Sequence, residues 1–342
     1  MRPIDLRSDT ITKPTSAMRQ AMAEAEVGDD FYGEDPTVSE LQAEAARLLG
    51  FEKALFVPSG TMANEIAIRI LTAPGQLVLA DERSHVVQHE LLGMAVLSGV
   101  APQTVATPDG KLTPEHIRRA STPPLLVRPS VALVVLENSH NLAGGLVYTV
   151  EETRAAIAAA HDVGFRVHLD GARLWNAAVA LGVPPRELAA GADTLMVDLS
   201  KGLCCPVGGL LLSSAADHEK ARRVRQQLGG GMRQSGVIAA PGLVALRTMI
   251  ARLTEDHDKA RLLGEAMARG RGVRAAPVAT NIVVGQVEGR PASAVANALE
   301  ARNVLALALD QTTLRLVTHH DVSREQCEQA AEALTAALDE TA

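Results

Sequence analysis

The chain has 342 residues, of which 47% are hydrophobic and 21% charged, and its formal net charge is −7. This length predicts two domains or one large domain with an appendage. The negative charge argues against a basic surface for nucleic acid or an anionic membrane, and the 2% aromatic content argues against stacking platforms for single strands. The N-terminus is charged from the start and no run approaches the ~20 apolar residues of a membrane span, so we expect a cytoplasmic protein.

Short apolar runs alternate with Ala-rich helical stretches from about residue 50 to residue 215. Such alternation is typical of an α/β domain with a mostly parallel sheet covered on both faces. Helices are predicted at 61–71 and 150–163, and Ser84 is the expected N-cap of a further helix that begins near His85. The predicted strands are 53–58, 76–80, 131–136, 166–169, 194–197 and 209–212.

The last hundred residues follow another pattern, with a long helix predicted at 241–268 and a break near Leu253-Thr254. Strands at 281–284 and 314–317 and an amphipathic helix at 323–338 indicate a small α+β domain. We therefore expect an N-terminal arm and large α/β domain over 1–240 and a small domain over 241–342. The three cysteines have neither metal-ligand spacing nor a disulfide framework, and adjacent Cys204 and Cys205 are expected to pack as small apolar side chains.

Two of the apolar runs end in charged residues at Gly-containing turns: Asp170 precedes Gly171, and Lys201 precedes Gly202. Strand ends of an open α/β sheet are where this architecture places ligand chemistry. A lysine that forms a Schiff base and an aspartate that keeps a pyridinium nitrogen protonated are the pair that pyridoxal phosphate (PLP) requires. The sequence therefore predicts a PLP site at this edge.

The segment Ser59-Gly60-Thr61 joins a predicted strand to a helix, and such an N-terminus can bind a phosphate or simply cap the helix. His85 can stack on a flat cofactor or lie on a helix surface. The spacing of His85 and His89 resembles a zinc pair, but no third ligand is evident, so we predict no metal.

Arg173 and Arg315 are candidates for binding a carboxylate, because a guanidinium grips that group with two parallel hydrogen bonds. Arg173 could instead pair with Asp170, and Arg315 could face solvent from its strand. Arg233 follows a glycine run at 229–231, which could reach a phosphate or a subunit boundary, or form the loop before a helix.

Taken together in this order, the motifs resemble those of the low-specificity L-threonine aldolases, which belong to the PLP-dependent fold-type I (aspartate aminotransferase-like) superfamily. The resemblance runs nearly from end to end and is carried by Asp5-Leu6-Arg7-Ser8-Asp9-Thr10, residues 27–36, Ser59-Gly60-Thr61-Met62-Ala63-Asn64, Leu136-Glu137-Asn138-Ser139-His140-Asn141, residues 168–173, Leu199-Ser200-Lys201-Gly202, residues 229–236 and Arg315-Leu316-Val317-Thr318-His319.

The resemblance implies that Lys201 holds the PLP aldehyde, that Asp170 pairs with the pyridine nitrogen, and that His85 stacks on the ring and takes part in proton transfer. Gly60 and Thr61 are then phosphate-binding residues.

The same resemblance implies that Ser8, Arg173 and Arg315 bind the amino-acid carboxylate, with Arg173 also near the cofactor. Tyr32 would bind substrate and Arg233 the cofactor across a subunit boundary, in a homodimer or homotetramer. The implied reaction is cleavage of the Cα–Cβ bond of L-threonine, L-allo-threonine or a related β-hydroxy amino acid to glycine and an aldehyde. Alternatives are a β-eliminating lyase or a transaldolase with the same lysine, and a PLP-fold binding protein without turnover.

The chain departs from its relatives at three places. Val86-Val87-Gln88-His89 stands where many carry an aromatic pair, Leu126-Val127-Arg128 stands where many place another histidine, and Leu142-Ala143-Gly144-Gly145 replaces a Gly-Lys turn. These positions approach the space of the substrate's β-substituent in relatives, so side-chain and threo/erythro preference stay open.

Overall fold

The computed structural model describes residues 2–121 and 129–341, so the departure at Leu126-Val127-Arg128 lies outside the described residues. The strands, numbered along the chain, are β1 Ile4–Asp5, β2 Lys53–Val57, β3 Leu77–Asp81, β4 Ala101–Val105, β5 Val131–Glu137, β6 Arg166–Gly171, β7 Thr194–Asp198, β8 Gly209–Ser213, β9 Val273–Ala275, β10 Ile282–Val287, β11 Val304–Leu305, β12 Leu307–Ala308 and β13 Thr313–Val317.

The α-helices are α1 Ser16–Glu24, α2 Pro36–Leu49, α3 Gly60–Leu71, α4 His85–Gln88, α5 Gly93–Ser98, α6 Pro114–Ala120, α7 Val150–Asp162, α8 Leu174–Leu181, α9 Pro185–Ala189, α10 Ala215–Gln227, α11 Gly236–Val244, α12 Leu253–Arg269, α13 Ala292–Glu300 and α14 Arg324–Glu340. Short 3₁₀ turns cover Asp9–Ile11 and Asp30–Tyr32.

The large sheet has the strand order β2-β8-β7-β6-β5-β3-β4. Its strands run parallel from β4 to β7, and β8 is antiparallel to both of its neighbours, β7 and β2. Side chains that alternate along β5 enter different clusters: Val134 packs in one core, and Leu133 and Val135 in another. The sheet is therefore covered on both faces, and the predicted mostly parallel α/β architecture is confirmed.

Strand β4 is an element that the sequence analysis did not predict. It forms the edge of the large sheet, pairs only with β3 among the described strands, and contains Pro102. Proline is tolerated at an edge because no neighbouring strand needs its missing N–H. Without a continuous apolar run, such a strand lacks the pattern by which the central strands were predicted.

The small domain is built on an antiparallel sheet of order β12-β13-β10-β9, against which α12 and α13 pack, and α14 packs on these two helices. Its core also takes in Ile4 and Leu6 from the N-terminus, where β1 pairs with β11. The core of the large sheet extends as far as Leu253. The division at residue 240 stays a prediction about where one unit ends and the next begins.

The helical stretch predicted at 241–268 differs from the prediction at both its start and its break. Helix α11 begins at Gly236 and contains Pro241, a π-helical turn covers Ala245–Met249, and α12 begins at Leu253, which was predicted to be the break itself. Among the described residues no single helix is long and apolar enough to cross a membrane, although Gly236–Met249 and Leu253–Arg269 pass that test as a pair bent by 70°. Cys204 and Cys205 are buried in the core of the large sheet, as predicted.

Candidate active site

Carboxylates mark the carboxyl end of four parallel strands of the large sheet. Asp81 ends β3, Glu137 ends β5, Asp170 lies at the penultimate position of β6 and Asp198 ends β7. All four are buried, and Glu137 is the register partner of Asp170. Ligands bind outside the carboxyl ends of the strands in open α/β sheets, so we expect a binding site at this acidic edge.

Lys201 lies three residues after the end of β7, with a mostly buried side chain. Its ammonium pairs with the carboxylate of Asp198, and its backbone carbonyl accepts a hydrogen bond of 2.8 Å from Thr12 Oγ1. Lys201 is thus held to the end of β7 through its side chain and to the N-terminal arm through its backbone. The amine is held at the carboxyl edge of the sheet, where the sequence analysis predicted it.

Asp170 is fixed by two donors. Its Oδ1 accepts from the backbone N–H of Ala172 at 3.1 Å, and its Oδ2 accepts from Asn64 Nδ2 at 2.9 Å. The other end of that amide, Asn64 Oδ1, lies 2.9 Å from His168 Nε2. Burial lowers the pKa of His168 to about 4, so this imidazole is neutral and can donate to the amide oxygen. The amide therefore presents its NH₂ group to Asp170.

His85 starts helix α4, as predicted, although Ser84 makes no capping hydrogen bond with its side chain. The backbone N–H of His85 donates to Glu137 Oε2 at 2.8 Å, and its Nδ1 lies 2.9 Å from Glu90 Oε1. Burial alone would lower the pKa of His85, but the hydrogen bond to Glu90 and the charge of Asp170 outweigh it and raise that pKa above 6.5. With Nδ1 committed to Glu90, Nε2 is the atom available to a ligand.

The two predicted carboxylate-binding arginines come together from opposite ends of the chain. Arg173 does not pair with Asp170; it forms a two-pronged ion pair with Asp9, at 2.8 Å from Nε and 2.6 Å from Nη2. Arg315 is buried as well, and its Nη1 donates to Asn141 Oδ1 at 3.0 Å. Arg173 Nη1 reaches the same oxygen at 3.4 Å, so one neutral acceptor joins the two guanidinium groups.

The charges in this cluster are unbalanced. Burial would raise the pKa of Asp9, but Arg173 outweighs it and lowers that pKa to about 2, so Asp9 is ionised. Burial and then the repulsion of Arg173 lower the pKa of Arg315 to about 10. Among residues 2–121 and 129–341, Arg315 has no carboxylate partner and its Nε is buried without a hydrogen bond. A second anion is what this arrangement lacks.

The predicted phosphate-binding segment lies at the start of α3, a helix of 12 residues. Ser59 caps it by accepting from the backbone N–H of Met62 at 3.2 Å, and Thr61 stands exposed in its first turn. A Cβ at Gly60 would come within 2.7 Å of Asp198 Oδ1, so only glycine fits between this N-terminus and the lysine's partner.

Three further predicted residues lie apart from this centre or at its edge. Ser8 precedes Asp9, and its Oγ accepts from the backbone N–H of Thr10 at 3.2 Å. Arg233 pairs with Asp29 at 3.2 Å, and Tyr32 is 69% exposed. In the described part of a single chain, neither Arg233 nor Tyr32 is hydrogen-bonded to His85, Asp170 or Lys201, so their predicted roles stay predictions.

The sequence analysis missed the residues that hold the predicted ones in place. Asp9, Asn64 and Asn141 lie within the motifs that carried the resemblance, and their position there was the available signal. Asp198 was visible as a carboxylate three residues before Lys201. Glu90 follows His85 by five residues, and the sequence analysis gave it no role. None of these pairings follows from sequence spacing, because each joins separate elements or depends on a loop conformation.

A group that could hold a metal is present, but it is not the His85/His89 pair whose spacing resembles zinc ligands. His85, Glu90 and Asp170 offer ligand atoms within 4.8 Å of one another, whereas His89 only meets the ring of His85 edge-on at 5.4 Å. Asn64 Nδ2 donates to both carboxylates, at 2.8 Å to Glu90 and 2.9 Å to Asp170. The amide thus accounts for this grouping as a hydrogen-bonded network.

The residues present fit PLP. A lysine and a buried carboxylate stand at the carboxyl edge of the sheet, and the N-terminus of α3 lies beside the aspartate that pairs with this lysine. Lys201 would hold the aldehyde, Asp170 the pyridine nitrogen and the Gly60-Thr61 turn the phosphate. The orphaned Nε of Arg315 further indicates an anionic group at the same place.

Comparison with known proteins gives a consistent result. The family model for beta-eliminating lyases matches residues 5–289. Low-specificity L-threonine aldolase 1 from Arabidopsis thaliana is 42% identical over 94% of this chain and 93% of its own length. The low specificity L-threonine aldolase of Escherichia coli (strain K12) is 41% identical over 96% of this chain and 97% of its own length.

Solved structures show the same fold. A threonine aldolase from Leishmania major matches with a TM-score of 0.85 at 22% identity, over 98% of this chain and 100% of that one. A structure of SPT with PLP matches with a TM-score of 0.78 at 19% identity, over 99% of this chain and 88% of that one. The predicted PLP fold type I is thereby confirmed.

Proposed function

The chain belongs to the beta-eliminating lyase family, alongside the low-specificity L-threonine aldolases, and from that premise we propose its substrates and the roles of its residues. It is a PLP-dependent carbon–carbon lyase of the threonine aldolase type. Its substrates are L-threonine, L-allo-threonine or related β-hydroxy-α-amino acids, which it cleaves between Cα and Cβ to glycine and an aldehyde. The observation that carries this proposal is the buried Arg173–Arg315 pair, which with Asp9 is one anion short of neutrality, at the same edge as Lys201 and Asp170.

Substrate orientation is the task of the arginines. Arg315 and the remaining donor of Arg173 bind the α-carboxylate, with the Ser8 hydroxyl beside them, because a guanidinium holds a carboxylate in a defined plane. Asn141 sets the spacing of the two guanidinium groups. A clamped carboxylate fixes rotation about the bond from Cα to nitrogen, and so selects which bond at Cα is aligned for cleavage.

When bound, PLP supplies the electron sink that accepts the electrons of the broken Cα–Cβ bond. Lys201 supplies the amine that holds its aldehyde carbon, and the Asp170 carboxylate holds a proton at its pyridine nitrogen. His85 is our candidate for stacking on the ring and for accepting the β-hydroxyl proton at Nε2, directly or through a water, since its Nδ1 is taken by Glu90.

We further propose a homodimer or homotetramer in which Tyr32 and Arg233 complete the site of a neighbouring subunit. Both are exposed in the single chain, Tyr32 in the 3₁₀ turn Asp30–Tyr32 and Arg233 in the loop before α11. A row of apolar side chains stands in solvent after His85: Leu91 is 92%, Leu92 62% and Val96 79% exposed. Exposed apolar surface of this kind marks an interaction site. A reducing cytoplasm is proposed from the three buried free cysteines.

Incubation of the purified protein with L-threonine, L-allo-threonine, phenylserine and their D-enantiomers tests the reaction. We expect glycine and the matching aldehyde from one or more L-substrates. A keto acid with ammonia would instead identify a β-eliminating lyase, and exchange of the aldehyde a transaldolase. Absence of aldehyde from every β-hydroxy amino acid would refute the proposal.

A further inference from the structure

Two buried glutamates, Glu65 and Glu90, lie near His85. The proposed reaction gives Glu65 no role. Glu65 is on α3 and Glu90 is in the turn between α4 and α5; they are 3% and 5% exposed. Glu90 Oε1 accepts from Asn64 Nδ2 at 2.8 Å and contacts His85 Nδ1 at 2.9 Å. Both oxygens of Glu65 and the second oxygen of Glu90 are buried without a partner in the part of the chain that the structure describes.

The pair is closely enclosed. A Cβ at Gly93 would come within 2.0 Å of Glu65 Oε1, so glycine at this position is what leaves room for the carboxyl. Among the described residues, the charged groups that act on the pair are these: Glu90 acts on Glu65, and His85 and Asp170 act on Glu90. Glu137 is a further carboxylate whose charge acts on His85. Of these described groups, His85 is the one that can carry a positive charge, and Asp170, Glu137 and the two glutamates are carboxylates.

Two adjacent carboxylates in such a place cannot both ionise at moderate cost. Two ionised carboxylates also have no hydrogen between them, so neither can donate to the other, and three of their four oxygens lack a partner. A proton on Glu65 supplies the missing donor, and Glu90 can then remain an acceptor toward both His85 and Asn64. One proton between Glu65 and Glu90 Oε2 thus gives a partner to two of the three oxygens that two carboxylates leave unsatisfied.

We propose that Glu65 and Glu90 hold one proton between them, and that Glu65 is a positioning residue that keeps the Glu90 carboxylate oriented on Nδ1 of His85. The positioning role of Glu65 in catalysis rests on the proposed function, whereas the shared proton does not. A hydrogen bond from the protonated Glu65 restrains the Glu90 carboxylate. Glu90 in turn fixes the tautomer and ring plane of His85. Burial, followed by the charge of Glu90, raises the pKa of Glu65 to about 8, so the proton is present at neutral pH.

Infrared difference spectroscopy on the enzyme with its cofactor bound tests for this proton. Wild type minus Glu65→Gln is expected to show the carbonyl stretch of a protonated carboxylic acid at neutral pH, fading as pH rises through about 8. The matched control is Glu332→Gln, an exposed glutamate on α14, which should show no such band. Absence of the band from the wild-type difference spectrum at neutral pH would overturn the proposal.

The pH dependence of stability gives a second readout, which a purely structural glutamate would not move. Between its ordinary pKa of 4.5 and about 8, Glu65 ionises in the unfolded chain but not in the folded one, so the free energy of unfolding falls as pH rises. Glu65→Gln should therefore gain stability relative to wild type across that window and level off above it. If the difference in free energy of unfolding between Glu65→Gln and wild type were as independent of pH as that for Glu332→Gln, the shared proton would be contradicted.

A Glu65→Leu variant repeats both measurements, so that the assignment does not depend on a single replacement folding well. Both experiments can also be run in a Lys201→Ala background, which lacks the amine that the reaction needs. The band should persist there. Failure of the aldolase assay and failure of the proton assignment are therefore separate outcomes.

Discussion

At the scale of single residues, the site depends on buried charges that neutralise one another incompletely. Asp9 balances Arg173, while Arg315 relies on the neutral oxygen of Asn141. Removing one partner of a buried pair leaves the other charge without compensation, and this costs more than the pair itself contributes. Asp9 is therefore a structural requirement for the clamp, although the sequence analysis gave it no role in the site.

Replacing Asp9 by Asn is expected to lower the free energy of unfolding by about 3–5 kcal/mol, because the buried Arg173 loses its counterion. Urea unfolding measures this. Asp29→Asn is the matched control, since Asp29 pairs with an exposed Arg233 and should change stability by no more than about 1 kcal/mol. Equal effects of the two replacements would contradict the account. The stabilisation by Asp9 should be complete above pH 3.8 and lost as pH falls through about 2.

The protonation state of His85 is expected to set the acid limb of the pH profile of kcat/KM. If its neutral form accepts the hydroxyl proton, kcat/KM should fall on acidification through a pKa above 6.5, the direction in which Glu90 and Asp170 shift it. Steady-state kinetics over pH measure this limb. Glu90→Gln should move the limb to lower pH, since it removes the carboxylate from Nδ1. A limb that stays in place in Glu90→Gln would show that another group is the base.

At the scale of secondary-structure elements, loops after the parallel strands bring the site together with the small domain. The turn after β5 carries Asn141 and then folds back, and Gly145 there has a φ of 73°. Its missing Cβ would lie 2.4 Å from Thr280 Oγ1, and Thr280 donates to the Gly145 carbonyl at 3.1 Å. Glycine at this position thus allows the turn to lie against the segment that precedes β10.

Gly145→Ala should destabilise the protein by about 1–3 kcal/mol more than Gly182→Ala. Both glycines have positive φ, at 73° and 66°, so the backbone penalty is shared, but nothing lies within 4 Å of a Cβ at Gly182. Thermal unfolding of the two variants isolates the contact with Thr280. Indistinguishable stabilities would mean that the turn moves away without cost.

How far these elements could be predicted depends on how local their signals are. Strand β5 was predicted to within one residue because it is a continuous apolar run between turn residues. Strand β4 was missed because an edge strand with Pro102 has no such run. The contact of Arg173 with Asp9 spans 164 residues, and no local pattern encodes it. Residue types with chemical roles were therefore predictable, whereas their supporting partners required the fold.

At the scale of the whole molecule, the proposed assembly explains why two predicted site residues stand apart from the rest. Arg233 lies over the ring of Phe31, at 5.1 Å, so its loop is next to the turn that carries Tyr32, and both residues are exposed. If they serve a neighbouring subunit, each site is a composite of two chains. Its completion then depends on association, as in symmetric oligomers whose partners contribute to one another's sites.

Subunit complementation tests this arrangement. Arg233→Ala and Lys201→Ala are each expected to be inactive or strongly impaired, whereas a co-refolded mixture should regain activity, because a hybrid contains one site with both residues intact. Mixing Lys201→Ala with Asp170→Asn is the control, since these residues belong to the same chain's site in either arrangement. No recovery in the first mixture would contradict a shared site.

The central claim is that Lys201 holds the cofactor covalently at the acidic edge of the large sheet. Borohydride reduction of the protein with PLP, followed by proteolysis and peptide mass spectrometry, tests it most directly. The account predicts a reduced pyridoxyl adduct on Lys201, and no adduct after Lys201→Ala. An adduct on another lysine, or none in the wild-type protein, would contradict it.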